Sequence, residues 1–124
     1  MKLLLDTHTA IWCQTDDRRL RRQARHAIAN ADIVWVSSAS GWEAAIKARN
    51  GRLRMREPFG ILVIADEFTE LPVTLMHAEE FERVPKLHGD PFDRLLIAQA
   101  RVEGATIVTH DRSFAPYGTP IIWT

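Results

Sequence analysis

Lys2-Leu3-Leu4-Leu5-Asp6 is the stretch on which the reading of this chain turns. Three consecutive leucines stopped by an acid have neither the length of a helix nor the alternation of a half-exposed strand. They read as a strand buried on both faces that runs into a loop or helix start at Asp6. Ile33-Val34-Trp35-Val36, closed by Ser37 and Ser38, is a second run of this kind. Residues 105–109 and 121–122 supply two more strands, and Pro72-Val73-Thr74-Leu75 a short one. Helical patterns lie between them. Asp16 and Asp17 precede a helical stretch through Asn30, with Leu20, Ala24, Ala27 and Ile28 on one face and arginines on the other. Ser40-Gly41-Trp42-Glu43 opens a helix that ends near Asn50-Gly51. Residues 58–70 form another, with Phe59, Leu62, Val63 and Phe68 on one side, and residues 77–83 a further one. Asp90-Pro91-Phe92-Asp93 starts a strong helix that continues through Glu103 and breaks at Gly104, and residues 111–115 form a helical turn. Strands alternating with helices predict an α/β fold, a central parallel β-sheet flanked by helices on both faces.

The length of 124 residues suits one domain spanning residues 1–124. With 46% apolar residues and no polar tract, disorder is excluded. The longest uninterrupted apolar runs, such as residues 60–65, are far too short to cross a bilayer, and the N-terminal run stops too early for a signal peptide. No membrane association is expected, and the chain is expected to be cytoplasmic. Cys13 is the only cysteine, which excludes an internal disulfide and a cysteine-based zinc cage.

Sixteen Lys+Arg balance sixteen Asp+Glu, which at first argues against a polyanionic partner. The balance conceals an asymmetry. Residues 1–62 carry eleven basic and six acidic side chains, and residues 63–124 carry five and ten. Arg18, Arg19, Arg21, Arg22 and Arg25 form one basic cluster; Lys47, Arg49, Arg52, Arg54 and Arg56 form a second. Both are candidate contacts for an RNA backbone, or else the solvated faces of two helices.

In a parallel sheet, ligands bind beyond the carboxyl ends of the strands, where strand order reverses. Asp6 follows the first strand and Asp111 the fourth. Glu43 and Asp93 stand in the first turns of the helices that begin near residues 40 and 90. Four carboxylates converging on one edge repel one another unless a cation neutralises them. Mg²⁺, which takes hard oxygen ligands together with phosphate oxygens, suits such a set. The reaction class is then phosphodiester hydrolysis by a metal-bound water. Each acid also has a plainer reading as a helix cap: Ser40-x-x-Glu43 as a capping box, Asp90-Pro91 as a cap with proline behind it, Asp6 and Asp111 as caps of whatever follows them. His8 and His110 adjoin Asp6 and Asp111 and can reach a phosphate, whereas His77 and His88 fit no zinc spacing. Trp12, Trp35, Trp42 and Trp123 serve as core or as stacking surfaces, and Cys13 as an apolar filler. No phosphate-binding glycine loop, dinucleotide fingerprint or nucleophile elbow is present. Asp6-Thr7-His8 lacks the Asp-x-Asp of haloacid-dehalogenase-like phosphatases, and the paired acids of receiver domains are missing.

The segments Leu3-Leu4-Leu5-Asp6-Thr7-His8, Ser37-Ser38, Trp42-Glu43, Asp90-Pro91-Phe92-Asp93-Arg94-Leu95-Leu96-Ile97-Ala98-Gln99-Ala100 and Ile107-Val108-Thr109-His110-Asp111 together resemble a PIN-domain ribonuclease of the VapC type, the toxin of type II toxin–antitoxin systems. The resemblance covers essentially the whole chain, and its most specific part is residues 90–100. It implies that Asp6, Glu43, Asp93 and Asp111 are the catalytic, metal-binding acids, holding Mg²⁺ or Mn²⁺ for endoribonuclease cleavage of RNA. It implies that hydroxyls such as Thr7 and Thr109 hold the site, and that Asp90 caps its helix. Where the family often has Asp-Phe after the last acidic strand, this chain has Ser113-Phe114, and Asp111 is the nearby carboxylate. A homodimer and a cognate antitoxin lying across the active-site groove are also implied. The helix at residues 58–70, through Ile61, Leu62 and Ile64, is a candidate groove for that partner, or else ordinary core. The competing class is a catalytically silent PIN-like module that binds RNA or a protein partner.

Overall fold

The computed structural model describes all 124 residues, Met1–Thr124. Strand β1 (Lys2–Leu5) lies at the centre of a five-stranded sheet, with β2 (Ile33–Ser37) on one side and β4 (Thr106–Thr109) on the other. Strand β3 (Thr69–Leu71) pairs with β2 and β5 (Ile121–Trp123) with β4. Every pairing is parallel, in the order β3-β2-β1-β4-β5.

The leucines of β1 show why this stretch dictates the sheet. Successive side chains of a strand point to opposite faces. Leu4 enters one core with Ile107, Leu96, Ile97 and Phe114, and Leu3 and Leu5 enter the other with Val36, Val108, Trp12 and Ala24. All three leucines are fully buried. Each contributes about 1.5–3 kcal/mol by its burial, and truncation of any one to alanine would cost about 2–5 kcal/mol. The first core is closed by α6 (Pro91–Glu103), α5 (Leu75–Arg83) and the 3-10 turn Arg112–Tyr117. The second is closed by α1 (Thr7–Thr15), α2 (Arg22–Asn30) and α4 (Phe59–Ala65). Helix α3 (Ser38–Arg49) leaves the end of β2 and packs against α1, α4 and α6.

Several boundaries differ from those read in the sequence. Helix α2 starts at Arg22, not directly after Asp17, because Asp16 ends α1 in the left-handed region (φ 53°) and the Asp17 carboxylate accepts the Arg19 N–H, closing a turn. The helix expected over 58–70 stops at Ala65. Glu67 takes φ 59°, the chain reverses, and Phe68 leads directly into β3. The strand expected at 72–75 therefore lies earlier, with Trp35 opposite Thr69 and Ser37 opposite Leu71. Pro72 has no N–H to extend the ladder, and Thr74 is the cap of α5. Helix α3 begins at Ser38, capped by Ser37, so the capping box read at Ser40-x-x-Glu43 does not form. No helix is long and apolar enough to cross a membrane.

The strand order places a reversal between β1 and β4. The carboxyl ends of these two neighbours open the crevice in which parallel sheets bind ligands.

Candidate active site

Asp6 leaves β1 at this crevice. Its backbone N–H still bonds to the Val108 carbonyl at 3.2 Å, which extends the β1–β4 pairing by one residue and fixes the direction of its side chain. One carboxylate oxygen accepts the Thr9 N–H at 2.9 Å and caps α1, while the other accepts the Thr109 hydroxyl at 2.5 Å. The cap and the site are thus the same residue. Burial pushes the Asp6 carboxyl above its ordinary range despite the bonds from Thr109 and Thr9.

Glu43 comes from the first turns of α3 and is buried. It caps nothing. Its Oε1 accepts the Thr7 hydroxyl at 2.5 Å, and its Oε2 lies 3.3 Å from the Lys47 ammonium one helical turn further on. Asp93 is the third residue of α6. Asp90 takes over the cap by accepting the Phe92 N–H at 2.9 Å, with Pro91 behind it, which leaves Asp93 free to turn inward. Burial, chiefly, together with the neighbouring Asp90, Glu43 and Asp6, pushes the Asp93 carboxyl up to about 7 against the lowering effect of its bond to His88.

Asp111 differs. It is exposed, accepts the Ser113 N–H at 2.9 Å as cap of the 3-10 turn, and donates its own N–H to Thr109 Oγ1 at 3.0 Å. What burial it has raises its carboxyl, but bonds from Ser113 and the nearby His88 and His110 imidazoles outweigh that and hold it low. Thr109 therefore joins Asp6 to Asp111, as a donor to one side chain and an acceptor from the other's backbone. The hydroxyls of Thr7 and Thr109 both bond to carboxylates of the ring.

His88 Nε2 lies 2.7 Å from Asp93 Oδ2, and the His88 N–H bonds to the hydroxyl of the buried Tyr117 at 2.7 Å. Ligand atoms of His88, Asp90 and Asp93 come within 4.8 Å of one another. The sequence puts His88 outside any zinc spacing and Lys47 in a basic cluster, and neither is read there as a partner of the acids. The i,i+4 spacing from Glu43 to Lys47 was the available signal for the second. Nothing local announced the first, because Tyr117, 29 residues on, folds the loop into place. His77 is elsewhere and satisfied: it takes the Thr74 N–H on Nδ1 and meets Glu103 with Nε2. Cys13 is partly buried, with its thiol pushed up to about 12 by burial, and behaves as the expected filler. Among the tryptophans, Trp12 is core, and Trp42, 65% exposed beside Glu43, meets Phe92 edge-on at 5.3 Å.

At this end of the parallel sheet the hydroxyls of Thr109 and Thr7 hold Asp6 and Glu43, His88 is bonded to Asp93, and Asp111 lies exposed as the cap of the 3-10 turn. The PIN domain family model matches residues 3–119. The chain belongs to the PIN-domain family. It is 31% identical over 121 residues to Ribonuclease VapC22 of Mycobacterium tuberculosis, across 95% of this chain and 93% of that one. Among solved structures, this PIN domain superimposes on VapBC2 from Rickettsia felis bound to a promoter DNA fragment with a TM-score of 0.74 at 14% identity, covering 99% and 98% of the two chains. It superimposes on VapC20 of Mycobacterium tuberculosis, a Sarcin-Ricin loop cleaving toxin, with a TM-score of 0.62 at 15% identity, covering 94% and 95%. At such identities the structures share the fold, and the acids of this PIN domain must be argued from their own surroundings.

Proposed function

We propose that this chain, as one nuclease domain over residues 1–124, is a metal-dependent endoribonuclease and the toxin of a type II toxin–antitoxin pair. The observation that carries the reading is the geometry of the acids: Asp6 and Glu43 are buried with their carboxylates held by the Thr109 and Thr7 hydroxyls, and Asp93, raised by burial and by these neighbours, is bonded to His88. A site that brings acids together at such electrostatic cost suits a divalent cation. The donor set fits Mg²⁺, with Mn²⁺ acceptable: carboxylate oxygens only, supplied by Asp6, Glu43 and Asp93, with Asp111 at the open rim. When bound there, the ion would supply charge neutralisation at the scissile phosphate and activation of a water. The protein's own residues do the rest. Thr109 and Thr7 hold the Asp6 and Glu43 carboxylates in place, His88 holds Asp93, and exposed Asp111 leaves one side of the ring open to the substrate.

The relative VapC22 bears the name of a ribonuclease, which favours RNA as the substrate here. The VapBC complexes favour an antitoxin as partner, and we extend this to a homodimer acting in the cytoplasm. The groove beside α4 suits the antitoxin. Ile61 and Ile64 are 49% and 77% exposed, Leu62 is buried, and a cavity of about 370 Å³ opens between Phe59, Val63, Ile64, Phe68 and the end of β2.

Asp6→Asn tests the assignment, since asparagine can still cap α1 while removing the charge. The variant should keep the circular-dichroism spectrum of the parent and lose Mg²⁺- or Mn²⁺-dependent cleavage of single-stranded RNA. Undiminished cleavage would overturn the metal assignment.

A further inference from the structure

The acidic site continues into a cleft whose basic and imidazole side chains the metal assignment does not use. A cleft of about 430 Å³ opens beside Asp6 and Asp111, within the roughly 300–1,000 Å³ range of small-ligand sites. Its remaining walls are Arg19, Arg112, His8 and His110, with the edge of Trp12 at the floor. All four of these polar side chains belong to exposed residues, whereas Trp12 is buried. The cleft therefore offers cations and imidazoles to solvent, not an aromatic face.

Both guanidiniums are held in place before any ligand arrives. Arg19 lies over the Trp12 ring at 4.6 Å and is gripped from behind by the Asp17 carboxylate through Nε and Nη2, at 3.0 and 2.8 Å. That grip leaves its Nη1 hydrogens unclaimed. Arg112 lies over the Trp123 ring at 4.2 Å and has no carboxylate partner. Trp12 in turn meets His110 edge-on at 5.7 Å, and His110 Nδ1 contacts the Thr124 carbonyl, which leaves Nε2 for the cleft. Stacked, oriented guanidiniums lose little freedom on binding; Arg112 presents a whole planar donor fork to a phosphate, and Arg19 the donors that Asp17 leaves. By contrast, Arg25 of the same basic cluster is spent internally on Asp16 and on the Leu20 and Asp17 carbonyls.

We propose that this cleft seats a backbone phosphate of single-stranded RNA, the one adjoining the linkage held at the acidic ring, with Arg19 and Arg112 as its principal contacts. The proposal rests on the ribonuclease reading and deepens it. Asp6 lines the cleft and also belongs to the acidic group, so the cleft directly adjoins the place proposed for the cleaved linkage. Phosphate binding at this point positions the strand and reads no sequence.

The test separates binding from cleavage. Asp93→Asn protein and the same protein carrying Arg19→Gln and Arg112→Gln are titrated with a fluorescent single-stranded oligoribonucleotide over a range of salt. Loss of one phosphate contact should weaken binding roughly tenfold or more and flatten the slope of log K against log salt by about 0.7. An Arg19→Lys, Arg112→Lys version should recover the slope without the full affinity, which a merely misfolded protein would not do. A single methylphosphonate placed at each linkage in turn should cost affinity at one position in the Arg-containing protein and nothing further at that position in the Gln version. Equal slopes and affinities in the Arg and Gln proteins, or identical methylphosphonate profiles, would overturn the proposal. Metal-dependent cleavage by the wild-type chain is scored separately, so the ribonuclease reading stands or falls on its own result.

Discussion

Asp93 and Asp111 come from similar local designs, an acid near the start of a helical segment, yet they sit in opposite surroundings. Asp93 is turned inward among Asp6, Glu43 and Asp90 and is pushed up to about 7; Asp111 is exposed, bonded by Ser113 and faced by two imidazoles, and is held low. The contrast shows that membership of an acidic cluster does not define a role. Burial and acidic neighbours make the inward acid costly to ionise in the fold. The outward acid costs the fold nothing and acts as cap and rim.

Asp93→Asn should sharpen this contrast most. RNA cleavage should fall by about 10³-fold or more in single-turnover assays. In the metal-free protein the fold retains the Asp93 proton up to about 7, whereas the unfolded chain releases it near the ordinary 3.8. Between those values the folded state binds more protons, so the contribution is fully present below the lower value and lost as pH rises to the upper one. The loss amounts to about 2–4 kcal/mol. Denaturant titrations of wild type in chelator should show stability declining over this window, and Asp93→Asn should abolish the decline and melt higher than wild type at pH 8. Added Mg²⁺ should stabilise wild type and leave the variant unchanged.

Asp111→Asn should have a smaller effect. Asparagine still accepts the Ser113 N–H, so stability should change by less than about 0.5 kcal/mol, with cleavage reduced about 10–100-fold. A loss equal to that of Asp93→Asn, with the same gain in metal-free stability, would erase the distinction between the two acids. Thr109→Val tests the residue that bridges the Asp6 side of the ring to Asp111. Removing its hydroxyl leaves the buried Asp6 oxygen without its donor, and urea unfolding should show a loss of about 1–2 kcal/mol. Cleavage should drop by about tenfold or less.

Much of this was legible in the chain because the relevant signals are local. Leu3-Leu4-Leu5 cannot be anything but a central strand, and the acid that follows it lands at the carboxyl edge wherever the sheet order takes it. The parallel α/β architecture followed from that logic repeated at β2 and β4. Cap and ligand could not be separated by sequence, since Asp6 is a cap through one oxygen and a member of the ring through the other. At Glu43 the capping-box spacing misled, because Ser37 starts the helix three residues earlier than Ser40. Between Asp66 and Thr74 the apolar pattern runs on while the backbone reverses at Glu67, a left-handed turn that no glycine or asparagine announced. His88 depended on Tyr117, a contact between segments 29 residues apart, and only the folded chain brings those together.

The double duty of Asp6 also bears on how such a protein decays once cleavage is no longer selected. Asp6 fastens α1 to the β1–β4 seam, so drift at this position is punished in the fold even when no RNA is cut. Asp93 carries the opposite incentive, because its loss relieves crowding among the acids. Descendants that have fallen silent should therefore shed Asp93 first and retain Asp6. In comparing such chains, a surviving first acid is evidence of a working fold, and the acid in α6 is the better indicator of a working enzyme.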